Sequence, residues 1–281
     1  MQKIEFTKMQ GAGNDYIYVD CTKHMIENAG EVSRILSDRH FGIGSDGLVL
    51  ICSSDKADFR MEMYNSDGTQ AEMCGNASRC VGKYVHDRGL TDKTTVTLET
   101  LAGIKTLELI LDERGEVDQV CVNMGAPELK PEKIPVIGEG ESFIAQNIEA
   151  DGREWSVTCV SMGNPHAVTF VDDTEAIDIE HIGPLFENHR LFPKRINTEF
   201  VQPMGDEVFR MRVWERGAGE TLACGTGACA TLAAAVLNGL SDGEADIVLR
   251  GGTLHIKWDK NDNNIYMTGP ARFVFDGVVT V

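Results

Sequence analysis

Two stretches of this chain run in parallel at a constant offset of 150 residues: FRMEMYNSDGTQAEMCG from Phe59 and FRMRVWERGAGETLACG from Phe209. Phe59, Arg60, Met61, Cys74 and Gly75 recur as Phe209, Arg210, Met211, Cys224 and Gly225, and upstream Gly13-Asn14 recurs as Gly163-Asn164. Solenoid repeats have periods of about 20–50 residues, so this spacing points to one duplication of a whole domain. A chain of 281 residues has room for two domains, at about 150 residues each.

The local pattern agrees between the copies. Phe59, Met61 and Met63 alternate with Arg60, Glu62 and Tyr64, a strand of period two, and Phe209, Met211 and Val213 repeat it. Turn residues follow in NSDGT and ERGAGE. Each copy then reaches Cys-Gly and enters a helix. In the first, Ala77, Cys80, Val81, Tyr84 and Val85 make an apolar face, and Gly89 is placed to stop it. The second, alanine-rich, stops at Gly239. TTVTLET, IKTLELIL, QVCVNMG, WSVTCVSMG, ADIVLRG and TLHIKWD read as strands. Strand-rich halves with few helices predict an α/β fold of the α+β type, not a run of βαβ units. The proline- and charge-rich segment VNMGAPELKPEKIPV places the boundary near Gly125. The expected domains are residues 1–124, completed by a returning C-terminal strand over 270–281, and residues 125–269.

The net charge is −18, from 26 basic and 44 acidic residues. Phosphate backbones are bound by basic stripes, so nucleic acid is not the expected partner, nor is an anionic membrane surface. The N-terminus MQKIEFTKMQ lacks the apolar core of a signal peptide, and ACATLAAAVLNGL is too short to span a bilayer. A cytoplasmic protein is expected. The eight cysteines include no C-x-x-C pair, so no metal site is expected, and most are read as buried small hydrophobes.

The two matched cysteines differ from the rest. The first turn of a helix presents backbone N–H groups without intrahelical partners and a partial positive charge. A cysteine there is stabilised as thiolate, and the same turn binds a carboxylate. Two such units facing one ligand would set two thiols on opposite sides of one carbon. Inversion of a stereocentre needs that arrangement: one thiolate removes a proton and the opposite thiol returns one. The helix N-termini would stabilise the charge that develops on the carboxylate. In principle no cofactor is needed.

GAGNDY, YNSDG, MCGN, SMGNPH, ERGAGET and ACGTGACA, in this order and spacing, resemble the diaminopimelate epimerase family over essentially the whole chain. The resemblance implies two pseudo-symmetric domains, each with antiparallel-rich sheets wrapped around a central helix, and an active site in the cleft between them. It implies interconversion of L,L- and meso-diaminopimelate without pyridoxal phosphate, in lysine and peptidoglycan precursor biosynthesis, by a homodimer. By position it makes Cys74 and Cys224 the catalytic pair. It assigns substrate binding to Asn14, Asn65, Gly75, Asn76, Asn164, Asn197, Glu215, Arg216, Gly225 and Thr226, and tuning of the thiols to His166 and Glu215. Arg216 would clamp the distal carboxylate. Two departures stand out. Gly47 lies where some relatives have a ligand-contacting Gln, and Ala77 stands where CGNG is usual in the family. The sister isomerases of the same fold, proline racemase and hydroxyproline epimerase, also pair two cysteines, but their substrates offer no second head for Arg216 and the asparagines. A non-catalytic amino-acid-binding protein would need neither cysteine.

Overall fold

The computed structural model describes residues 2–281, which form two compact units: one runs to Asn123 and takes in Thr268–Val281, the other is Met124–Met267. In chain order the first unit has β1 (Lys3–Gly11), β2 (Asn14–Cys21), α1 (Ala29–Leu36), β3 (Gly47–Cys52), β4 (Phe59–Asn65), β5 (Gln70–Ala71), α2 (Gly75–Asp87), β6 (Thr95–Thr100), β7 (Gly103–Leu111) and β8 (Val117–Gly125). The second has β9 (Phe143–Ala150), β10 (Arg153–Ser161), β11 (Pro165–Phe170), α3 (Ile179–Glu187), β12 (Asn197–Gly205), β13 (Val208–Glu215), β14 (Gly219–Thr221), α4 (Gly225–Leu237), β15 (Glu244–Leu249), β16 (Gly252–Trp258) and β17 (Ile265–Pro270). The last strand, β18 (Arg272–Thr280), pairs with β1 from Lys3↔Thr280 to Gln10↔Arg272.

The pairing schemes match strand for strand. In the first unit β1–β2 is antiparallel, β2–β3 parallel, β3–β4 antiparallel, β4–β6 parallel and β6–β7 antiparallel. In the second, β10–β11, β11–β12, β12–β13, β13–β15 and β15–β16 repeat that series in sense and order. β18 flanks β1 antiparallel as β9 flanks β10. The fold is thus a duplicated α+β unit with few helices, and the offset of 150 seen in the sequence recurs in the registers of β2–β3 with β11–β12 and of β3–β4 with β12–β13.

Each unit is built on one helix of 13 residues. α2 packs on β1, β2 and β7, and α4 on the equivalent β10, β11 and β16 and on further strands. Enclosure explains the alanine-rich sequence of α4: Ala228, Ala230, Leu232, Ala233, Ala234 and Ala235 are fully buried, so small side chains let strands approach closely. Cys80 and Cys229, also fully buried, pack within these helices. Both helices end in the same motif. Gly89 and Gly239 have φ of +70°, their N–H groups reach His86 and Val236, and the N–H groups of Leu90 and Leu240 reach Val85 and Ala235 at 2.8 Å. No helix among the described residues is long and apolar enough to cross a membrane.

Candidate active site

Cys74 and Cys224 are the N-cap residues of α2 and α4, both in extended conformation. The first intrahelical bonds are donated by Ser78 to Cys74 O and by Ala228 to Cys224 O, both at 2.9 Å. The backbone N–H groups of Gly75-Asn76 and Gly225-Thr226 therefore sit ahead of each hydrogen-bond ladder, at the positive end of the dipole.

In the first unit the Cys74 thiol donates to Asn14 Oδ1 at 3.3 Å. The Asn14 amide donates to Asp46 Oδ2 at 2.7 Å, and Asp46 also takes the Asp15 backbone N–H. Arg39 bridges Asp46 (3.0 Å) and Asp15 (2.8 Å), and Lys8 pairs with Asp15 at 2.6 Å. Burial raises the Asp46 carboxyl above its ordinary range, helped by the neighbouring Asp15 charge. Burial acts on Asp15 in the same sense, but hydrogen bonds and charges from Arg39 and Lys8 outweigh it and hold Asp15 low. The network orients the Asn14 amide so that its oxygen faces the thiol. Asn65 is the last residue of β4, and its amide donates across the β4–β5 turn to Thr69 Oγ1 at 3.0 Å. Asn76 is buried in the first turn of α2, and its side-chain oxygen has no hydrogen-bond partner there.

The second unit joins more of the predicted residues. Gly227 N–H donates to Cys224 Sγ at 3.4 Å, and Thr226 Oγ1 lies 3.5 Å from the same sulfur. The Asn164 amide donates to Thr226 Oγ1 at 3.2 Å. His166 is fully buried, with Nε2 at 3.0 Å from Asn164 Oδ1 and Nδ1 at 2.7 Å from Glu199 Oε1. Glu215 accepts from Thr221 Oγ1 at 2.5 Å. Asn197 accepts the Arg216 backbone N–H at 2.9 Å and donates to Pro165 O at 2.8 Å, while the Arg216 guanidinium donates to Lys194 O at 3.0 Å. Burial pushes the Cys224 thiol well above its ordinary value, with the Glu215 and Glu199 charges adding to it and hydrogen bonds from Thr226 and Gly227 opposing. Burial also raises Glu215. These surroundings disfavour the Cys224 thiolate.

Glu199 and Asp46 had not been singled out in the sequence. Neither has a counterpart 150 residues away, where Val49 and Ile196 stand. The one signal for Glu199 is an acidic residue inside an apolar strand, NTEFV. His166, Glu199 and Cys224 bring a nitrogen, an oxygen and a sulfur within 4.8 Å of one another, a combination that divalent metals also favour, although the His166–Glu199 hydrogen bond already engages two of the three. At Gly47 a Cβ would lie 2.1 Å from Tyr64 O and 2.8 Å from the Tyr16 ring, so this backbone has no room for the Gln of some relatives.

The fold is that of known racemases and epimerases. Over 99% of this chain and 92% of theirs, a hydroxyproline epimerase from Agrobacterium vitis superposes with TM-score 0.69 at 15% identity, and a PhzF-family phenazine biosynthesis protein from Bacillus anthracis superposes over both full chains with TM-score 0.72 at 20% identity. Sequence comparison is more specific. Residues 6–130 and 158–274 match the diaminopimelate epimerase family. The diaminopimelate epimerase of Acetivibrio thermocellus is 60% identical over 98% of both chains, and that of Methanococcus maripaludis strain C5 is 58% identical over 99% of this chain and 100% of its own. The chain belongs to the diaminopimelate epimerase family, and its chemistry is that of an isomerase.

Proposed function

We propose that this protein interconverts L,L- and meso-diaminopimelate by proton transfer between Cys74 and Cys224 across one α-carbon. The observation that carries this reading is the pair of cysteines at the N-cap positions of two equivalent 13-residue helices, in a chain whose family and 60%-identical relative are diaminopimelate epimerases. One thiolate takes the α-proton from one face and the other thiol gives its proton to the opposite face. The first-turn N–H groups of α2 and α4 receive the α-carboxylate as charge moves onto it. The burial and carboxylate neighbours of Cys224 make it the proton donor in the resting state, and turnover exchanges the roles.

The remaining predicted residues read the non-reacting end. Asn65, Asn164, Asn197, Glu215 and Arg216 supply amide, carboxylate and guanidinium groups of the kinds that hold an ammonium and a carboxylate. A substrate without that second amino-acid head leaves them unpaired, which separates diaminopimelate from proline-type substrates. We place the protein in the cytoplasm, as a homodimer, in lysine and peptidoglycan precursor synthesis. The test is incubation of purified protein with L,L-diaminopimelate, reductant and no added cofactor, with stereoisomers resolved by chromatography. Meso product is expected. Its absence, with the thiols shown to be free, would overturn the reading.

A further inference from the structure

The duplication allows the surroundings of the two thiols to be compared residue by residue. Tyr16 stands at the position of His166, Val49 at that of Glu199 and Asn65 at that of Glu215. The strand registers agree: Tyr16 lies opposite Gly47 as His166 lies opposite Asn197, and Val49 opposite Met63 as Glu199 lies opposite Val213. One half therefore has a phenol, an isopropyl group and an amide at these places, while the other has an imidazole and two carboxyls.

Glu199 is fully buried beside the apolar Phe200 and Val201. A carboxylate in such a strand is costly unless a partner and hydrogen bonds compensate it. Its Oε1 lies 2.7 Å from His166 Nδ1, while its buried Oε2 has no hydrogen-bond partner. Beyond the ring, His166 Nε2, Asn164, Thr226 and Cys224 form a continuous chain of polar contacts at 3.0, 3.2 and 3.5 Å. With Glu199 ionised, both atoms facing the ring, a carboxylate oxygen and an amide oxygen, are acceptors. Both ring nitrogens then donate, which only imidazolium can do. A flipped Asn164 amide, with its nitrogen toward the ring, would instead suit the neutral form.

We propose that Glu199 is a positioning residue that commits His166 to the doubly protonated form and, through Asn164 and Thr226, provides the cation that supports Cys224 as thiolate when Cys224 is the base. The titratable groups that act on the ring are Glu199 on β12 and Cys224 at the head of α4, close to it, and Glu215 on β13 through its charge, with Cys159 on β10 in turn feeling Glu199. The Glu199 carboxylate and the Cys224 thiol lie within 4.8 Å of the imidazole and Glu215 interacts with it through charge, so a charged ring offsets part of the like-charge repulsion that opposes the Cys224 thiolate. The kinetic half of this proposal rests on the epimerase reading; the protonation half does not.

The test is nitrogen-15 NMR of the His166 ring in the whole protein at pH 7.5, compared with E199Q, alongside epimerase kinetics. The wild-type ring is expected to show two protonated nitrogens, and E199Q, with its melting temperature close to wild type, one. In E199Q kcat should fall about tenfold or more while KM stays within about threefold, the pattern of an interaction made in the transition state. A neutral His166 ring in the wild type would overturn the proposal, as would a doubly protonated ring or wild-type kcat in folded E199Q. Should E199Q fail to fold, the wild-type spectrum still decides the protonation state. Should the wild type show no activity on diaminopimelate, the epimerase reading fails while the spectrum continues to test Glu199.

Discussion

At the scale of single residues, the Cys224 environment is tight enough that small changes should be felt. A Cβ on Gly227 would lie 2.7 Å from Glu199 Oε1 and 3.2 and 3.3 Å from Cys224 Cβ and Sγ. Neither neighbour can retreat without breaking the hydrogen bond to His166 or the cap. Gly227→Ala should therefore lower kcat by tenfold or more, about 1.4 kcal/mol or above in barrier height; unchanged kinetics would mean that this packing does not hold the thiol in place. Glu215 gives a pH prediction. Burial raises its carboxyl above the ordinary value. The folded state therefore holds the proton more tightly than the unfolded chain. The associated stability is fully present below the unfolded value, near pH 4.5, and is lost as pH rises through the folded value. Glu215→Gln removes a half-buried charge at pH 8 and should raise the melting temperature there by about 2 °C or more, with the gain vanishing near pH 4. A variant less stable than wild type at pH 8 would contradict this. Activity should fall in the same variant if Glu215 holds the substrate ammonium group.

At the scale of elements, legibility in the sequence followed the repeat. Where both copies carried the same signal, the reading came from the residues: the Phe-Arg-Met strands became β4 and β13, the cysteines became N-caps, and Gly89 and Gly239 became the helix stops. Asn14 and Asn164 were visible for the same reason, and both now contact the chain of atoms that leads to a thiol. Glu199 and Asp46 were not legible, because their roles come from strand pairing and loop closure that bring distant residues together, and no local pattern marks a lone buried carboxylate. Asn197 and Arg216 were reached only through the family resemblance, since NTEF and WERG read locally as strand and turn. The enclosure of α4 carries its own prediction. Ala234 is fully buried and its helix contacts strands on several sides. Ala234→Leu should cost about 1–3 kcal/mol through overpacking, measured as the shift of a urea unfolding midpoint. An unchanged midpoint would show that the strands are not closely applied to the helix.

At the scale of the whole chain, the first unit is completed from the far end of the sequence. β18 pairs along the length of β1, and its Asp276 takes Thr7 Oγ1 and Arg88 at 2.6 Å. Without it β1 would present a long unpaired edge. Deleting residues 271–281 should therefore unfold the first unit and yield aggregated protein, whereas a soluble truncated chain with wild-type melting would contradict the architecture. Duplication gives each unit its own helix and its own thiol, and the asymmetry lies in the residues that differ: Tyr16, Val49 and Asn65 in one, His166, Glu199 and Glu215 in the other. The two-thiol mechanism depends on both copies at once. It is tested most directly by incubating wild type, Cys74→Ser and Cys224→Ser with L,L-diaminopimelate in D₂O under reductant and following the α-hydrogen by NMR. Wild type should give meso product carrying solvent deuterium at the inverted centre, and each serine variant, folded, should lose inversion by about a thousandfold or more, since a hydroxyl is too weak an acid and base for this proton. Inversion at the wild-type rate by either variant would contradict the claim that both cysteines carry the proton.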